Sequence, residues 1–294
     1  MQYPKYAAFL ASAQLYPAPW RLLGGLVVML LVYTAGFGVI YGILVAVSGF
    51  DGAGLWVARM AEADTPTATL LVLASFIGMG AGAMLGARLL HKRTIASLFG
   101  PPVHMVQHFI LASVICAIIT GLMGLVPMGA TPRPNLDFGL WLSFLPMAVV
   151  GILVQTGAEE VLFRGYIQSQ LAARFATPLI WMVLPSVLFA MLHFQPSVMG
   201  DNAWLVVGAV FLFAVCAADL TARTGTIGAA WGFHFANNAV AILFVALDGP
   251  LSGLALYTLP VTNLPDADLR PMLWAGMGIT LLIWLVIRVA VGRR

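Results

Sequence analysis

Charge is scarce in this 294-residue chain: only 9% of residues are Asp, Glu, Lys or Arg, while 61% are hydrophobic, with a mean hydropathy of +0.98. A soluble domain of this length cannot hide so much apolar surface, whereas a bilayer can. The formal charge of +3 is too small for a nucleic-acid footprint, so its placement is read as topology. There are two cysteines, Cys116 and Cys216, both inside apolar runs. They read as core filler and imply no disulfide framework. No low-complexity tract, internal repeat or soluble domain is evident. No His-Glu-x-x-His helix is present either.

What is present is a series of apolar runs of membrane-spanning length. A spanning helix needs about 20 apolar residues. Eight fit, at about 22–48, 67–90, 105–127, 139–158, 177–194, 203–220, 226–247 and 271–290. The expected class is all-α, a polytopic membrane protein. The first run is too long for a signal-peptide core. Residues 1–20, with Pro4, Pro17 and Pro19, suit an interfacial segment. Gly78, Gly82 and Gly86 give the second helix one smooth face for a close neighbour. Trp20, Trp141, Trp204 and Trp274 fall near helix ends, as an interfacial belt would.

Charge placement supports an even count. With the N-terminus in the cytoplasm, eleven of the 14 basic residues fall inside: Lys5, Arg21, Arg88, Lys92, Arg93, Arg164, Arg174, Arg223, Arg288, Arg293 and Arg294. Arg59, Arg133 and Arg270 fall outside, with eight of the 11 acids: Asp51, Glu62, Asp64, Asp137, Asp201, Asp248, Asp266 and Asp268. That asymmetry is the positive-inside pattern, N-in and C-in. His91-Lys92-Arg93 reads as such an anchor. Asp219 and Arg223, at i,i+4, read as a structural pair.

Against this background, Glu159-Glu160-Val161-Leu162-Phe163-Arg164 stands out, with three ionisable residues at the end of an apolar run. Glu160 and Arg164 are natural i,i+4 partners, which leaves Glu159 as the freer carboxylate. His193 closes the fifth run, and His234 and Asn238 share one face of the seventh. Thr177-Pro178 makes the best turn between the fourth and fifth helices. Counted from it, Glu159 and His193 stand at one height, roughly 24 Å away. His234 is roughly 12 Å from its own turn, so the 4–5 hairpin must protrude further into the cytoplasm. Arg164–Arg174, with Gln168, Ser169 and Gln170, would be an amphipathic helix leaving the membrane there.

Two His and one Glu make a zinc set with one open position for water, and a lone Glu suits a general base. Either route activates water for hydrolysis. Asn238 with one His could donate to an oxyanion. His104 and His108, also at i,i+4, could hold a metal, but an interfacial helix face is the simpler reading. Asn237 is expected only to pack.

Glu159-Glu160-x-x-x-Arg164, Phe189-x-x-x-His193 and His234-x-x-x-Asn238 together resemble the three motifs of the CPBP intramembrane proteases. These are the CAAX prenyl endopeptidases and their bacterial relatives, including bacteriocin-processing and self-immunity proteins. The resemblance covers about residues 140–247. It implies a catalytic core at 139–247, with accessory helices in 1–138 and a loop plus final helix in 248–294. It implies that Glu159 and His193 activate water, that His234 and Asn238 hold the oxyanion or a metal, and that Glu160 and Arg164 support them. Zinc or another divalent ion on Glu159, His193 and His234 is one version; the other needs no metal. The expected partners are a peptide or protein segment, lipidated or not, and membrane lipid, with no nucleic acid. The expected setting is a cell membrane, a bacterial inner membrane by composition. Two other functions fit the same residues: a non-catalytic immunity or regulatory protein of this fold, and a transporter.

Overall fold

The computed structural model describes residues 3–124, 131–260 and 266–292. The end of the third expected run, at 125–127, and Arg293 and Arg294 lie outside the described residues, as do the side chains of Asp266 and Asp268. The chain is almost entirely helical. A short α1 (Pro4–Leu10) precedes α2 (Pro19–Glu62), α3 (Pro66–His91), α4 (Pro102–Met123) and α5 (Phe138–Glu160). Helix α5 runs on through wider π-helical turns at Val161–Gln168 into α6 (Ser169–Arg174). After a break come π turns at Leu179–Val183, α7 (Leu184–Met191), a single turn α8 (Pro196–Met199) and α9 (Ala203–Thr224). Next is α10 (Gly228–Ala239), continued by π turns at Val240–Phe244, and last α11 (Asp266–Gly292). The protein is an all-α, multi-pass membrane protein.

Six helical stretches among the described residues are long and apolar enough to span a membrane. Two of the eight expected spans are realised as shorter pieces: Leu179–Met191, and α10 with its π extension. Both are bounded by local chemistry. Pro178 starts the first, and left-handed Gly225 (φ 68°) precedes the second. Helix α2 is longer than expected because Gly49, at φ 73°, turns the axis and lets a helix resume to Glu62.

Connections alternate between two ends. At one end α1 touches the α9–α10 turn, where a Cβ on Gly225 would meet the Lys5 carbonyl, and Arg21 donates to the Leu90 carbonyl. At the other end a small sheet, in order β1-β3-β2, joins β1 (Arg133–Pro134), β2 (Val245–Leu247) and β3 (Tyr257–Leu259). There Gly253 N–H donates to the Ala63 carbonyl and Asn135 to those of Ser252 and Ala255.

The glycine stripe of α3 does what its spacing predicts. A Cβ on Gly82 would lie 2.7 Å from the Met29 carbonyl oxygen, and one on Gly86 2.6 Å from that of Gly25. The α2 and α3 backbones therefore meet directly. Gly86→Val should push them apart and cost about 1–3 kcal/mol, read as a lower unfolding midpoint in mixed micelles. An unchanged midpoint would mean that the contact is loose.

Several charge readings need correction. Asp219 does not pair with Arg223. It accepts from Tyr3 Oη (2.9 Å), Trp284 Nε1 (3.0 Å) and Arg288 Nε (2.9 Å), while Arg223 Nε donates to the Arg288 carbonyl. Donors brought in from the N-terminal segment and α11 displace the same-helix neighbour. Arg93 is a buried tie, not a solvated anchor: it donates to the Ser97 side chain and carbonyl, Ser169 and Gln170. His91 is likewise buried, against the Tyr16 carbonyl and Gln170. The stretch after Arg164 does not leave the protein body, for Gly165 to Gln170 are all buried and Gln168 donates to the Ala218 carbonyl. Trp141 is also core, with Nε1 donating to the Leu243 carbonyl, whereas Trp20, Trp204 and Trp274 are exposed as a belt requires.

Candidate active site

The last turn of α5 lies directly against α10. Gly157 makes this possible, since a Cβ there would sit 2.7 Å from the Trp231 ring, and Trp231 Nε1 donates to Thr156 Oγ1 at 3.2 Å. Each helix then offers one i,i+4 face to the other, Gln155 and Glu159 on α5, His234 and Asn238 on α10.

His234 meets both carboxylates. Its Nδ1 is 2.8 Å from Glu160 Oε1 and its Nε2 3.5 Å from Glu159 Oε2. Adjacent residues on a helix diverge by about 100°, which suggests that only one could face the site. One imidazole, with a nitrogen on each side, reaches both. Glu160 is fully buried and also takes Arg164 Nη1 at 2.8 Å. Arg164 sends Nη2 to the Ala214 carbonyl and lies 4.9 Å from the Phe189 ring centroid. It is therefore a site residue and no topology marker. Glu159 is 8% exposed against 0% for Glu160, so it is the less enclosed of the two carboxylates.

Helix α7 brings in the Phe189–His193 motif. Phe189 packs edge-on to Phe163 and His234, and His193 tilts over it with ring centroids 5.0 Å apart. The height argument from the Pro178 turn thus agrees with the packing: 163 stands level with 189, and 159 with 193. His193 Nδ1 donates to the Phe189 carbonyl at 3.0 Å, which leaves Nε2 as an acceptor. His193, His234, Asn237 and Asn238 line a cavity of about 390 Å³, with Met272 and Met277 of α11 also in its wall. The final helix, which carries no motif, therefore shapes the site.

Asn238 Nδ2 donates to Gln155 Oε1 at 3.0 Å, and Asn237 donates to Asn238 Oδ1 at 3.3 Å. Asn237 does more than pack. In the sequence, Gln155 is legible only as a polar residue one turn before Glu159.

The zinc reading fares differently. Among the described residues no three His, Cys, Asp or Glu side chains converge as metal ligands. Glu159, His193 and His234 are near neighbours, but His234 is tied at both nitrogens to the carboxylates. They do not fit a three-ligand set in this arrangement. His104 and His108 stack at 6.2 Å, with His108 Nδ1 3.1 Å from Thr226 Oγ1, beside a separate cavity near α1.

With this geometry in place, sequence comparison bears on it directly. Residues 140–240 match the family model described as type II CAAX prenyl endopeptidase, Rce1-like. Over these residues the chain is similar to that family. The match starts at the second residue of α5's apolar run and ends just past Asn238, so it contains every residue of the three motifs. The chain is also 30% identical over 112 residues to the uncharacterized protein YyaK of Bacillus subtilis (strain 168), across 36% of this chain and 35% of that one. It thus spans about a third of the length of that curated relative. No solved structure matches it.

Proposed function

We propose that the protein is an intramembrane endopeptidase in which Glu159 is the general base. The observation that carries this is the meeting of α5 and α10, where His234 lies 2.8 Å from Glu160 and 3.5 Å from Glu159, beside a cavity that His193, His234 and Asn238 line. Glu159 takes a proton from water as the water oxygen adds to the peptide carbonyl carbon. The same proton passes to the leaving amine as the C–N bond breaks. His193 Nε2, free on the cavity side, accepts the second water hydrogen and holds the water in line. Asn238 Nδ2 has one N–H left after Gln155, and this donates to the developing oxyanion. His234, held by Glu160, fixes the Glu159 carboxyl rather than serving the oxyanion.

Residues 139–247 form the catalytic core, with 1–138 and 248–294 as its frame. The Lys- and Arg-rich end faces the cytoplasm, in a bacterial inner membrane. A lipidated C-terminal segment is a substrate that could approach from the bilayer. A divalent metal would require Glu159, His193 and His234 to rearrange, and a chelator arm in the assay below addresses that directly.

The test is cleavage of prenylated and plain C-terminal peptides by purified protein in lipid, read by mass spectrometry. Wild type should release defined fragments. His193→Gln, at a position that is not buried, should lower kcat about 100-fold with folding unchanged. Proton flux in liposomes without products would replace this reading with a transporter. Neither flux nor products would favour the non-catalytic protein.

A further inference from the structure

The cavity that His193, His234 and Asn238 line is not polar throughout. Val210 and Phe213 of α9 and one face of α11 line it as well. At about 390 Å³ it has room for more than a peptide bond and one water, whose share of liquid volume is about 30 Å³. A peptide whose carbonyl lies at the polar residues brings a neighbouring side chain into the same space.

The α11 face has a gap in it. Met272, Gly276 and Thr280 follow one another one turn apart and all line the cavity. The middle position has no side chain, so it is a notch between two longer neighbours. A Cβ on Gly276 would meet no atom within 4 Å. Gly82 and Gly86 make room for another backbone; Gly276 faces open space. Leu273 and Met277 flank the notch, and thioether side chains adapt to the shape beside them. Among the described residues no Asp, Glu, Lys or Arg lines the cavity. A charged group placed there would be desolvated without a counter-ion.

We propose that Gly276 is a specificity-determining residue: its notch takes an apolar side chain of the substrate next to the scissile bond. This deepens the peptidase reading and rests on it. Helix α11 lies outside the matched residues 140–240, so this preference belongs to a part of the chain that the family match does not cover.

The test varies the peptide and the notch together. Peptides that wild type cleaves are remade with Ala, Leu, Phe, Asp or Lys at each position flanking the cut bond. At one of these positions wild type should prefer Leu or Phe to Ala by about tenfold or more in kcat/KM, and leave Asp and Lys uncut. Gly276→Leu fills the notch and should turn the preference towards Ala by about the same factor. Gly278→Leu is the control. A Cβ there also meets nothing within 4 Å, but Gly278 does not line the cavity, so the wild-type preference should persist. An equal loss on every peptide in Gly276→Leu, or the same switch in Gly278→Leu, overturns the proposal. A second readout needs no cleavage. Cys116 and Cys216 are buried, so Gly276→Cys adds an accessible thiol for a small maleimide. Peptides with Leu or Phe should slow its labelling, and their Asp counterparts should not. Slowed labelling with no cleavage by wild type would remove the peptidase reading and keep the apolar notch. Labelling that no peptide slows overturns the notch, whatever the protein cleaves.

Discussion

Glu159→Gln should lower kcat for peptide cleavage about a thousandfold, with KM and the unfolding midpoint nearly unchanged. The expected size is that of a general base removed from an otherwise intact site. The substitution keeps side-chain length and removes the negative charge. Among the described residues Glu159 Oε2 has no hydrogen-bond partner. His234 Nε2 stands 3.5 Å from that oxygen. The companion Glu160→Gln should behave differently. Glu160 is bonded to both Arg164 and His234, so its loss should lower stability and activity together. Rates of product formation by mass spectrometry, with unfolding curves on the same samples, separate the two. Equal loss in both variants, tracking stability, would sink the assignment of Glu159 as the base. So would Glu159→Gln retaining the wild-type rate.

This division of labour between the two carboxylates is partly legible in the sequence. Same-helix spacing yields the Glu160–Arg164 pair, the shared face of His234 and Asn238, and the α3 glycine stripe, because each depends only on a rotation of about 100° per residue. Height along a hairpin places Glu159 near His193, because the rise per residue and a single proline turn fix it. The misses share a cause. Spacing assigns Asp219 to Arg223 four residues away, yet its donors come from Tyr3, 216 positions before it, and from Trp284 and Arg288 on the last helix. Charge placement puts Arg93 at a surface, yet α6 covers it. Gln155 passes as the end of an apolar run because its partner is on another helix. Spacing within an element says which residues share a face. Which foreign side chain meets that face is decided by packing between helices, and here by glycines such as Gly157 and Gly82.

The largest effect on folding should come from Arg164→Met. Glu160 is fully buried, one of its oxygens has no hydrogen-bond partner among the described residues, and the other is shared by Arg164 and His234. Removing the guanidinium leaves a buried carboxylate that must either stay charged beside one imidazole or take up a proton. Breaking a buried pair by deleting one partner costs about 3–5 kcal/mol, far above the value of an exposed ion pair. Methionine fills much of the arginine's length and keeps contact with Phe189, so lost packing is the smaller part. The decisive comparison is the double variant Glu160→Gln/Arg164→Met. Neutralising the carboxylate removes the stranded charge, and the double variant should recover a large part of the lost stability in unfolding measured in mixed micelles. If the double variant is as unstable as Arg164→Met alone, the arginine acts by filling space and by its bond to the Ala214 carbonyl. If it recovers, charge compensation around Glu160 is what holds the α5–α10 junction in the geometry that Glu159, His234 and Asn238 need.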